Sequence, residues 1–332
     1  MRTEKRRTAS LLIAAILVCL GSTGINGQKQ IPNLNRADRT SGRDASDTVR
    51  PVTIPITIRA REAKTRQEMI PADLIVVRED GEEQRILSIR AMGGINATPI
   101  SFAVLIQDDV VSSLSNEIKA IANFIRGLPQ GSRVFVGYIR SGSLQVRQKF
   151  TTDLERAASA LRIPIGSASA APYNPYVEII EGLKRFESLP AGRRAMLVIS
   201  DGLDFSQGID STSPSLSMDL ERAIREAQRQ SVAIYSFYAP TVTVTSRSHQ
   251  LLVGNAQSSL QRLSDETGGR AFFQGMGAPV SLDPFLQDLN VSLTRQIALT
   301  YLSTHPGRGY HRIEIISEVP GLVIDYPRGY MH

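Results

Sequence analysis

Two continuous apolar runs end in acidic and hydroxyl residues. Phe102 to Ile106 leads into Gln107-Asp108-Asp109-Val110-Val111-Ser112-Ser113, and Ala195 to Ile199 leads through Ser200 into Asp201-Gly202-Leu203-Asp204. Carboxylate and hydroxyl oxygens gathered from two strand ends are the donors that a hard divalent cation takes. The same residues have plainer uses. Asp108 and Asp109 can satisfy the free amides of a helix starting near Ser112, and Asp201-Gly202 can be an ordinary turn. Patterns for other chemistry are missing. There is no Gly-x-Ser-x-Gly elbow, no Gly-x-x-x-x-Gly-Lys phosphate loop and no His-Glu-x-x-His helix, so no enzymatic activity is expected. His249, His305, His311 and His332 show no ligand spacing and read as solvated surface positions.

The elements that must position these residues follow from periodicity. From Ile100 onward, apolar runs typical of strands covered on both faces alternate with helical spacings. Helices are expected over Ser112 to Leu128, up to Leu161 from a cap at Thr152-Asp153, over Tyr176 to Phe186, over Asp219 to Gln230 and over Ala256 to Thr267. This alternation predicts an α/β fold, a doubly wound and mostly parallel sheet with helices on both faces, over residues 98–294. Ligands of such sheets bind at the carboxyl ends of the strands, where the strand order switches.

Both flanks read as β. Val52, Ile54, Ile56 and Ile58 alternate with polar residues and proline, and Asp80-Gly81 sits between two apolar runs as a hairpin signal. Residues 51–97 and 295–332 are expected to pair into one small β domain into which the α/β domain is inserted. The alternative is two separate appendages.

The first 27 residues run from charged (Arg2, Lys5, Arg6, Arg7) to apolar (Leu11 to Leu20) to small (Gly21, Ser22, Gly24, Gly27), the order of a secretory signal. The apolar run is too short to span a bilayer. Val18 before Cys19, the sole cysteine, argues against lipid attachment there. A secreted or periplasmic protein, with no transmembrane span after cleavage and a polar linker over residues 28–50, is the resulting expectation. The net charge of +6 falls to about +3 without residues 1–27, and the remaining Lys and Arg are dispersed, which excludes a nucleic-acid partner.

The strand-end motifs resemble the von Willebrand factor type A (VWA) family, over roughly residues 100 to 290. Asp73-Leu74, Glu79-Asp80-Gly81, Gln84 and Arg328-Gly329-Tyr330 extend the likeness to the acidobacterial VWFA-related subfamily. The resemblance implies a Rossmann-like fold and a metal-ion-dependent adhesion site. Its ligands would be Asp108, Ser112, Asn174 and Asp201, with Asp109 as a compensating carboxylate. Val110 stands where the family has a serine, so binding of Mg²⁺ or Mn²⁺ is expected to be weak or lost. The resemblance also implies protein-protein binding at the sheet's carboxyl edge, in which a partner's acidic residue completes the metal shell, and no small-molecule substrate. Two other readings stay open: a structural or envelope-assembly scaffold with a vestigial site, and an exported hydrolase using the paired acids.

Overall fold

The computed structural model describes residues 49–60, 74–94, 97–111, 117–241, 249–275, 281–305 and 307–331. The expected secretory segment, Cys19, most of the expected linker, and Ser112 lie outside the described residues.

Two sheets carry the fold. Strands β4 (Ile100–Gln107), β5 (Arg133–Arg140), β6 (Ser143–Thr151), β7 (Arg193–Ser200), β8 (Ala233–Tyr238) and β9 (Ala271–Phe272) form one sheet in the order β6-β5-β4-β7-β8-β9. All neighbours are parallel except the edge strand β6. This is a doubly wound α/β sheet, with its order reversing between β4 and β7.

Alternation along β4 sorts its side chains between two cores. Phe102, Val104 and Ile106 pack with helices α1 (Ile118–Arg126), α2 (Leu154–Ser159) and α6 (Asp283–Thr294). Ala103 and Leu105 pack with α3 (Pro175–Lys184) and α4 (Met218–Arg229), and with Leu263 of α5 (His249–Glu266). Both faces are covered, which is why β4 is apolar without interruption.

The second sheet is antiparallel and joins strands from both flanks. β1 (Arg50–Ala60), β2 (Ile75–Glu79), β3 (Glu82–Ala91), β10 (Gln296–Ser303), β11 (Tyr310–Ser317), β12 (Leu322–Asp325) and β13 (Gly329–Met331) are ordered β12-β1-β10-β3-β2-β11-β13. Ile54, Ile56 and Ile58 of β1 are buried with Val77, Leu299, Tyr301 and Ile313, so the alternating pattern places one face in a core. The β2–β3 turn has Asp80 at φ 51° and Gly81 at φ 90°, the left-handed pair of a type I′ hairpin.

Buried Arg193 joins the two sheets where α6 meets β10. It donates to Gln296 Oε1 at 2.6 Å, to the carbonyl of Thr98 at 3.2 Å and to the carbonyl of Leu293.

Candidate functional site

At the switch point, the pleat decides which acids meet. Gln107 continues the alternation of Ala103 and Leu105, on the α3 side, whereas Asp108 falls on the side of Ile106. Gln107 Oε1 accepts from the Ser200 hydroxyl at 2.5 Å and from the Asp201 amide at 3.3 Å, while its Nε2 donates to Asp109 Oδ1 at 2.9 Å. A neutral carboxamide therefore bridges the ends of β4 and β7. Asp109 and Asp201 share a cavity of about 540 Å³, whose walls include Gln107, Ser141, Tyr173 and Phe205.

Asp201 is buried in the wall of this cavity. Its Oδ1 accepts from the Leu203 amide at 3.0 Å and its Oδ2 from the Thr241 hydroxyl at 3.0 Å. Burial, with the charge of Asp109 in support, pushes its pKa up to about 7. Burial, helped by Asp108, likewise raises Asp109. Loss of solvent and like charge both disfavour two anions here, so the pair favours a proton or an incoming cation.

Asp108 faces elsewhere. Arg162 grips its two oxygens at 2.7 and 2.6 Å, and the Ile165 amide donates to Oδ1 at 3.0 Å. The guanidinium also lies over the Tyr138 ring, 4.0 Å from its centroid. Asn174 caps α3, accepting from the Tyr176 amide at 3.0 Å and donating to Asp219 at 2.7 Å. Val110 is buried in the apolar core.

The set Asp108, Asn174 and Asp201 is therefore not gathered into one shell. Asp108 belongs to the opposite face and already has a cation, and the Asn174 side chain is committed to a helix cap and Asp219. Asp201 and Asp109 do converge, with Gln107 at the strand end beside them. These donors do not fit the adhesion-site metal: one carboxylate is paired with arginine, a carboxamide holds the strand end, and Val110 supplies no oxygen from its side chain.

The two tyrosines near the site differ. Tyr176 is buried and donates to the Gly202 carbonyl at 2.7 Å. Tyr173 is 77% exposed on the cavity rim, and its carbonyl accepts from the Phe205 amide at 2.7 Å. Ile163, Ile165, Ile209 and Leu216 are also exposed on the loops that follow α2 and β7 at this edge.

A second polar cluster escaped the sequence reading. His311 is 7% exposed rather than solvated, and it meets Glu79 and Asp80 at the β2–β3 turn. It lies 231 residues from Asp80 in sequence, so no local spacing announces the contact.

No family model and no curated protein matches the chain. Among solved structures, it is similar to a von Willebrand factor type A protein from Catenulispora acidiphila, at 11% identity and TM-score 0.42, over 75% of this chain and 74% of that one. It is also similar to the conserved hypothetical protein BatB from Bacteroides thetaiotaomicron, at 12% identity and TM-score 0.38, over 58% and 97% of the two chains. A third likeness is to the SpRpn10 VWA domain, at 16% identity and TM-score 0.32, over 55% and 99%.

Proposed function

We propose that the chain is an exported, non-enzymatic protein-binding module that engages a partner protein at the carboxyl edge of its parallel sheet, without a bridging metal. The observation that carries this reading is the Asp109–Asp201 cavity with Tyr173 exposed on its rim. Two carboxylates disfavoured as neighbouring buried anions suit a lysine or arginine side chain from outside. An exposed tyrosine with nearby isoleucines supplies the apolar contact area on which interfaces draw. Export rests on the N-terminal charged, apolar and small-residue order.

The test is selection from a random peptide library against the full chain, with and without Mg²⁺. Enrichment of Lys- or Arg-bearing peptides, lost with Asp109→Asn and with Tyr173→Ala, is expected in both conditions. Enrichment of acidic peptides only with Mg²⁺ would replace this reading with the metal-bridged one. Peptides indifferent to both substitutions would remove the site.

A further inference from the structure

We propose that Glu79, Asp80 and His311 form a binding site for one divalent transition-metal ion of the Zn²⁺ class, on the antiparallel sheet and separate from the carboxyl-edge cavity. The argument starts from the ring of His311. Its Nε2 lies 2.9 Å from the carbonyl of Gly307. A carbonyl only accepts, so Nε2 carries the proton and donates.

In a neutral ring, Nδ1 is then a bare lone pair. It faces Asp80 Oδ2 at 2.8 Å and Glu79 Oε1 at 3.4 Å, two more electron-rich atoms. Something positive must sit among these three, either a second proton on His311 or a metal ion. A histidine that donates one ring nitrogen to a backbone carbonyl while aiming the other at carboxylates has the usual outer support of a metal ligand.

A second, independent observation favours the metal. Glu79 is fully buried, and its Oε1 accepts from the Tyr330 hydroxyl at 2.7 Å, yet its Oε2 has no hydrogen-bond partner. Nδ1 of His305 lies 3.9 Å from that atom, too far for a hydrogen bond. A proton on His311 leaves this buried oxygen unanswered, whereas an ion that takes the Glu79 carboxylate as a ligand answers it.

One ligand atom from each of Glu79, Asp80 and His311 already falls within 4.8 Å of the others. An imidazole among the donors favours Zn²⁺ and its first-row neighbours over Mg²⁺ or Ca²⁺, which prefer all-oxygen shells. Asp80 is further oriented by the Arg312 amide, 2.8 Å from Oδ1. The ion would tie the β2–β3 turn to β11.

The untagged full chain, stripped with chelator, would be dialysed against Zn²⁺ alone and against Mg²⁺ alone. One Zn²⁺ per chain is expected, with Mg²⁺ retained at least about tenfold more weakly. His311→Gln should weaken Zn²⁺ by about a hundredfold. Asp80→Asn, at the exposed ligand, should weaken it by about tenfold while leaving the circular dichroism spectrum of the metal-free chain unchanged. Absence of stoichiometric Zn²⁺, with both His311 nitrogens protonated at pH 7 by ¹⁵N NMR, would overturn the proposal in favour of a proton. Zn²⁺ binding that neither substitution alters would overturn it as well.

Discussion

Arg162 holds Asp108 by both carboxylate oxygens, at 2.6 and 2.7 Å, with the carboxylate fully enclosed and the guanidinium partly open to solvent. The pair is therefore asymmetric. Arg162→Met strands a buried anion whose remaining donor is the Ile165 amide, and should cost about 3–5 kcal/mol. Asp108→Asn leaves a guanidinium that can turn toward water, and should cost clearly less. Urea denaturation of both variants at pH 7 checks the order, and equal costs would contradict it.

Asp201 gives the fold a pH signature. Its folded pKa of about 7 lies above the ordinary value of 3.8, so the folded state holds a proton that the unfolded chain releases. Stability from this group therefore declines as pH rises from about 4 to about 7 and is level above. Asp201→Asn should remove that decline and make the variant more stable than the parent at pH 8, by on the order of 2–4 kcal/mol. Thermal unfolding between pH 5 and 8 reads it. Parallel curves for the two proteins would show that Asp201 stays ionised.

Asn174 is the cap of α3 and a donor to Asp219. Asn174→Ala should lower stability by about 1 kcal/mol, while Asn174→Asp, which keeps the cap acceptor but brings a charge against Asp219, should fall between the two. Mg²⁺ or Mn²⁺ titration calorimetry should not distinguish Asn174→Ala from the parent.

Arg193 serves four partners at the junction of the sheets, Gln296 and the carbonyls of Met92, Thr98 and Leu293. Arg193→Met keeps much of the volume but leaves those acceptors unanswered in a buried place, at a cost of about 3 kcal/mol or more. Gln296→Leu should be milder, since it removes one acceptor and leaves three. Denaturant midpoints of the two variants decide it.

The sequence carried the class of the fold because continuous apolar runs and helical spacings alternate from Ile100 onward. It carried the Asp80-Gly81 hairpin because only a left-handed pair closes that turn. The site was legible to within one residue. An apolar run says where a strand ends and leaves open which face its last residues take. Gln107 shares parity with Leu105, so Gln107 and Asp109 face Asp201 while Asp108 turns to Arg162. Counting parity from Ala103 would have separated them. The partnership of Arg162 with Asp108 and of His311 with Glu79 had no such signal, because each is made by folding together distant segments.

β1 lies inside the antiparallel sheet, between β12 and β10, with Thr53 bonded to Thr300 across 247 residues and Arg59 to Asp325 across 266. Both flanking strands are made only after the whole α/β sheet that separates them from β1 in sequence. Closing loops of this length is slow, and until then β1 exposes a row of unpaired backbone groups to any other extended chain. Pro51 and Pro55 remove two donors from that row while pairing with Leu302 and Ala298 in the finished sheet. Placing proline within β1 thus works as a safeguard in time, blunting misassociation of this strand during the interval before its partners arrive.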